Sequence, residues 1–246
     1  MNTANRIAII DRCRKNRDWE GLAAFLVDGD KGMRRRAARA LGEVGDMKAL
    51  PILMEATHDP DAWVRLDVIR SLGKLRAAAA FDVLISSLED ENIDIRMETL
   101  HTLGCTKDRR AIEPLIRALN DPHQEIRSGA VEALERIGWS PATAHEEILL
   151  LLAKKQWKDI SSVSGFSPAE AWELIRGREE YVRLSLLEEL AKSGELRSAP
   201  ILLLGMTDSA HAVRAGAAIA FVRLPSFDTD AFFSALPGSG NGRNTQ

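Results

Sequence analysis

Aromatic residues are scarce in these 246 residues, at 5%, with one tyrosine, five tryptophans and seven phenylalanines. Sandwiches and barrels lean on aromatic and β-branched side chains, so the shortage argues against an all-β fold. Alanine, leucine, arginine and glutamate dominate instead, and these favour helix. Cysteine is nearly missing. Cys13 and Cys105 stand far apart, make neither a disulfide framework nor a four-ligand zinc site, and point to a reducing, cytosolic setting. No apolar run approaches the roughly 18 residues of a membrane span. The longest, Ile148 to Ala153 and Ala199 to Met206, read as buried helix segments, and Ile7 to Ile10 is too brief for the core of a signal peptide. Charge of one sign does not prevail either: 33 basic against 36 acidic residues leave a net charge of −3. No global field therefore draws the chain onto nucleic acid or an anionic membrane.

What the chain does have is a period. Arg34, Arg65, Arg96 and Arg127 recur at a constant step of 31, and Arg183 and Arg214 repeat that step. The gap from Arg127 to Arg183 is 56, which leaves room for one shortened unit over 141–165. One residue before each arginine stands Met33, Val64, Ile95, Ile126, Val182 or Val213, and seven after it Leu41, Leu72, Leu103, Leu134, Leu190 or Phe221. Six before it, Asp28, Asp59, Asp90, Asp121 and Asp208 recur, with Gly177 the departure.

Each unit reads as a helical hairpin. In the second, Ala49 to Thr57 forms one helix, His58-Asp59-Pro60-Asp61 the turn, and Ala62 to Leu75 the other, because proline suits a turn and Asp61 caps a helix. Val64, Val68, Ile69 and Leu72 then share one apolar face. One hairpin cannot bury that face, so neighbours must stack into an all-α superhelix, an α-solenoid of about seven units over 1–224. Residues 225–246 read as a C-terminal cap and a flexible tail.

The run Ala111-Ile112-Glu113-Pro114-Leu115-Ile116, then Leu119-Asn120-Asp121-Pro122, Glu125-Ile126-Arg127, Ala130, Ala133-Leu134 and Ile137-Gly138 resembles the short HEAT-like repeats found in phycocyanobilin lyase subunits. The resemblance spans Trp19 to Leu224. Gly138-Trp139-Ser140-Pro141 followed by Leu152 to Trp157 is similar to an insertion that interrupts such arrays. The resemblance implies that the second helices line a concave surface. It also implies an alternative function as a bilin lyase or isomerase-like subunit.

Two sets of residues stand out as sites. The arginine column, Arg34, Arg65, Arg96, Arg127, Arg183 and Arg214, lies at the margin of the apolar face, where guanidinium groups can satisfy turn carbonyls and the recurring aspartates. It reads as structural. At 100° per residue, the outer face of the second helices presents Arg39, Arg70, His101, Glu132, Glu188 and Ile219, flanked by Arg35, Leu66, Met97, Ser128, Leu184 and Ala215. That row runs from basic to acidic to apolar, a groove for another protein, with Leu66 and Met97 as its apolar anchor.

Catalytic and metal signatures do not assemble. His145-Glu146 is a single His-Glu pair, whereas HEAT-like di-iron hydroxylases use several. His58, His123 and His211 fall at turns, and His101 on a helix face. Gly238-Ser239-Gly240-Asn241-Gly242 lacks the strand and helix of a phosphate loop. The basic cluster Arg34-Arg35-Arg36 with Arg39 has acids close by and no stacking aromatics on its face, which argues against nucleic acid. The sequence therefore reads as a non-enzymatic scaffold without metal or cofactor.

Overall fold

A computed structural model describes residues 2–75, 78–194 and 196–224. Among them every regular element is helical. The chain divides into two compact units, Met1–Ser140 and Pro141–Gln246, and the division falls where the shortened repeat begins.

The first unit opens with α1 (Thr3–Lys15) and continues through four hairpins. These pair α2 (Trp19–Ala23) with α3 (Lys31–Val44), α4 (Leu50–Glu55) with α5 (Ala62–Leu75), α6 (Phe81–Ser87) with α7 (Ile93–Thr106), and α8 (Ile112–Ala118) with α9 (Gln124–Ile137). Local chemistry sets the boundaries. The Asp30 side chain accepts from the Gly32 N–H, and Asn92 from Asp94, so each satisfies a donor that the first turn leaves unpaired. Asp61 caps α5 in the same way, accepting from Trp63 and Val64. Gly45 and Gly138 end α3 and α9 at φ of 71° and 79°, in the left-handed region that glycine enters without steric cost.

The second helices lie side by side, α3 on α5, α5 on α7 and α7 on α9. Met33, Val64, Ile95 and Ile126 are buried between them and the first helices, as are Leu41, Leu72, Leu103 and Leu134. These are the two apolar columns of the 31-residue repeat. A third column, of small residues, sets how closely the helices approach. A Cβ on Gly42 would stand 2.8 Å from Ser71 Cα, one on Gly73 3.1 Å from Thr102 Cγ2, and one on Gly104 2.9 Å from Ala133 Cα. Sequence reading passed over this column. Gly104→Ala gains about 1 kcal/mol of helix propensity but forces α7 off the α9 backbone, an overpacking cost of about 1–3 kcal/mol. The expected net result is a lower denaturation midpoint; an unchanged one means the helices part freely.

The second unit holds α10 (Ala144–Lys154), α11 (Pro168–Arg176), α12 (Glu180–Ser193), α13 (Ala199–Gly205) and α14 (His211–Val222). Thr143 and Ser167 cap α10 and α11. Where the shortened repeat has no room for a second α-helix, the chain forms a 3₁₀ segment, Trp157–Ser162. Ile148, Leu152, Ile160, Trp172, Ile175, Leu186 and Leu190 build its core together with Ile201, Leu202 and Val213. The segment 225–246, read from sequence as a cap and tail, lies outside the described residues.

Candidate partner-binding surface

The arginine column ties turn to turn. In α3, Arg34 donates from Nε and Nη2 to the two carboxylate oxygens of Asp59, at 2.6 and 2.9 Å, and from Nη1 to the Asp28 carbonyl at 2.9 Å. Arg65 repeats the pattern one unit later, with Asp90 at 2.8 and 2.9 Å and the Asp59 carbonyl at 2.9 Å. Each arginine thus holds the turn before its own helix and the carboxylate of the next turn at once. Each aspartate also accepts from the backbone N–H two residues on, Asp61 for Asp59 and Asn92 for Asp90.

The later members vary this scheme. Arg96 reaches the Asp90 carbonyl at 2.8 Å, His123 Nδ1 at 3.1 Å and the Asp121 carboxylate at 3.5 Å. Arg127 has no aspartate 25 residues on and turns to the Gln124 side chain at 2.6 Å, keeping the Asp121 and Pro122 carbonyls. In the second unit Arg183 pairs with Asp208 at 3.0 Å, and Arg214 holds the Asp208 and Ser209 carbonyls at 2.8 Å. Arg183 also donates to the Arg178 carbonyl, a bond that needs no side chain at Gly177. Outside the repeat, Arg6 of α1 pairs with Asp28, so the aspartate of the first unit also gains a partner. Sequence reading missed this one because Arg6 stands off the 31-residue register.

Pairing lowers the titration of two of the recurring aspartates. Burial pushes the Asp90 carboxyl up, but the Arg65 guanidinium and the Asn92 N–H outweigh it and hold the group below the ordinary aspartate value. At Asp28 the Arg6 hydrogen bond leads in the same direction.

The outer row lies on α3, α5, α7 and α9, with Arg39, Arg70, His101 and Glu132 exposed on successive helices. Glu188 and Ile219 are exposed on α12 and α14 of the second unit. The row of the first unit is an interlocked ladder rather than a line of independent charges. Arg14 bonds Glu43 at 2.9 Å, Arg35 bonds Asp67 at 2.9 Å, Arg39 forms an ion pair with the same carboxylate at 2.8 Å, and Arg70 bonds Glu98 at 2.8 Å. Asp67 is fully buried, beneath arginines that reading a single helix in isolation takes as merely exposed.

One anchor residue is corrected. Leu66 is only 4% exposed, so it is part of the packed interior and offers no open apolar surface. A flank position on one helix is covered when another second helix packs against either side, and α5 lies between α3 and α7. Met97 is half-buried, its sulfur lying 3.3 Å from where a Cβ on Gly129 would stand. Among the described residues of the first unit's second helices, the exposed large apolar side chain is instead Trp63, 53% exposed, with the Arg35 guanidinium 5.3 Å from its ring centroid. Its place in the first turn of α5 left it outside the outer row as counted from sequence.

Among the described residues no group of three or more His, Cys, Asp or Glu is placed to hold a metal ion. No described helix is long and apolar enough to cross a membrane. The sequence profile of HEAT repeats matches residues 20–98 and 81–160, together more than half of the chain. The chain belongs to the HEAT-repeat family. No curated protein matches this HEAT-repeat chain. Among solved structures it is similar to the complex of CpcE and CpcF of phycocyanin lyase from Nostoc sp. PCC7120, at 21% identity over 93% of this chain and 85% of that one, with a TM-score of 0.47. It is also similar to an engineered protein, at 18% identity over 84% and 96% of the two chains and a TM-score of 0.43. A designed armadillo repeat protein follows, at 17% identity over 85% and 100% and a TM-score of 0.41. These likenesses concern repeat architecture alone.

Proposed function

We propose that this HEAT-repeat chain is a non-catalytic scaffold of the cytoplasm that binds another protein through its second helices. The observation that carries the reading is Trp63, an exposed tryptophan backed by an arginine on a rigid helix. Tryptophan and arginine dominate binding hot spots because they bury large areas and pair specifically. Arg35 stands against the Trp63 ring, Arg70 lies two turns on in the same helix α5, and Arg36 and Arg39 continue the basic end on α3, where they line a cavity shared with α1. His101 and the acidic Glu132 follow on α7 and α9; in the second unit, Glu188 is exposed on α12. Because neighbouring helices and ion pairs hold these side chains, a partner meets a preorganised surface and little ordering entropy is lost. The partner that fits the basic end is an acidic segment carrying an apolar side chain for Trp63.

An array of short peptides of graded charge tests this. The parent should retain acidic peptides. Trp63→Ala and Arg36→Glu should lose them, while Arg117→Glu, on the exposed face of the first helix α8, should keep them. If retention shows no charge preference, or if Trp63→Ala and Arg36→Glu hold the same peptides as the parent, the surface is not the binding face.

A further inference from the structure

The ladder of the second helices breaks at one place. Arg39 and Asp67 stand 28 residues apart, as do Arg70 and Glu98. The next step takes His101 to residue 129, which is Gly129, so the ladder carboxylate is missing there. In its place His101 meets two other groups. Arg136 of α9 donates from Nη1 to His101 Nδ1 at 2.9 Å, and the opposite ring nitrogen, Nε2, faces the Cys105 sulfur at 3.6 Å. The same Arg136 nitrogen lies 3.6 Å from that sulfur.

Arginine only donates, so Nδ1 must accept, and the ring proton then sits on Nε2, directed at Cys105. Two N–H donors from two helices thus converge on one exposed sulfur. Free cysteine is usually buried and inert; nucleophilic cysteines are exposed and stand beside Arg, Lys or His. We infer that Cys105 is a covalent modification site, a nucleophilic thiol that takes small disulfides by exchange, with His101 and Arg136 as its positioning residues. In the reaction the Cys105 sulfur gives its proton to solvent and attacks one sulfur of the reagent. A new S–S bond forms as the old one breaks, and the departing thiolate leaves with the electron pair and takes up a proton. Cys105 is oxidised to the mixed disulfide, and the leaving sulfur is reduced to a thiol.

The chain carries its own control. Cys13 is half-buried, and burial together with the Asp18 carboxylate pushes its thiol above the ordinary range, which disfavours the reactive anion.

Excess 5,5′-dithiobis(2-nitrobenzoate) at pH 7 gives the rate of each thiol on the full chain, with Cys13→Ser reporting Cys105 and Cys105→Ser reporting Cys13. Cys105 should react about tenfold faster than Cys13 and faster than N-acetylcysteine amide. In the Cys13→Ser background, His101→Leu and Arg136→Met should each slow it several-fold, with unchanged circular dichroism. His101→Gln, which keeps an N–H donor, should retain most of the rate. The inference fails if Cys105 reacts no faster than the free thiol, or if His101→Leu and Arg136→Met leave its rate unchanged.

Discussion

Replacing Arg65 with alanine is expected to lower stability by about 3 kcal/mol, the range for a broken, mostly buried ion pair. The guanidinium and the Asp90 carboxylate are only 11% and 13% exposed, so neither group recovers full hydration when the other is removed. Alanine leaves the carboxylate with the Asn92 N–H and strips the Asp59 carbonyl of its guanidinium donor, adding the cost of an unsatisfied acceptor. The effect carries a pH signature. Asp90 is held below its ordinary value in the folded chain, so its contribution is complete above the unfolded value and is lost as pH falls through the folded one. The parent should therefore weaken below about pH 4, and Arg65→Ala should weaken less steeply there. The double variant Arg65→Ala/Asp90→Ala should lose less than the sum of the singles, since the two side chains act as one unit. Urea midpoints of the full chain at several pH values measure all three, and an Arg65→Ala midpoint equal to the parent's at pH 7 contradicts the column's structural role.

That prediction rests on residues visible in the sequence, and the reason is periodicity. A repeat presents the same environment several times, so Arg34, Arg65 and Arg96 identify one another, as do Asp59, Asp90 and Asp121. The apolar columns around Leu72 and Leu103 mark the core by the same logic. What the sequence did not disclose depends on distances between helices. Asp67 sits one position from Leu66 on the flank of α5, and a single helical wheel assigns neither to the interior. Burial of both follows from a neighbouring helix in van der Waals contact, and the contact is that close because Gly42 meets Ser71. Trp63 escaped because the outer row was counted from the arginine column rather than from the first helical turn. Arg6 escaped because no second copy of α1 exists to compare it with. The Cys105 cluster was half legible: Cys105 and His101 stand four apart on one helix face, but Arg136 arrives from α9.

The variant Arg39→Glu/Arg70→Glu is expected to fail as a probe of binding, because it lowers stability by about 2–4 kcal/mol. On sequence grounds the pair changes only exposed charge and moves stability by less than about 1 kcal/mol. Asp67 overturns that expectation. Its carboxylate is buried, with Arg39 Nε at 2.8 Å, Arg35 Nε at 2.9 Å and Arg70 Nη1 at 3.9 Å. Reversing two of the three cations leaves the buried charge with Arg35 alone and sets two carboxylates nearby, and like charges at such a site repel strongly where solvent is excluded. The loss belongs to Asp67 rather than to the surface, so adding Asp67→Asn to the double variant should restore most of it, by removing the charge that is repelled. Arg36 offers the clean comparison. It is exposed on α3, on the side that faces α1, and Arg36→Glu should leave the denaturation midpoint within about 0.5 kcal/mol of the parent, as surface substitutions do. If Arg39→Glu/Arg70→Glu is as stable as Arg36→Glu, the buried carboxylate is neutralised by other means; if Asp67→Asn gives no recovery, the damage lies elsewhere on the helix face.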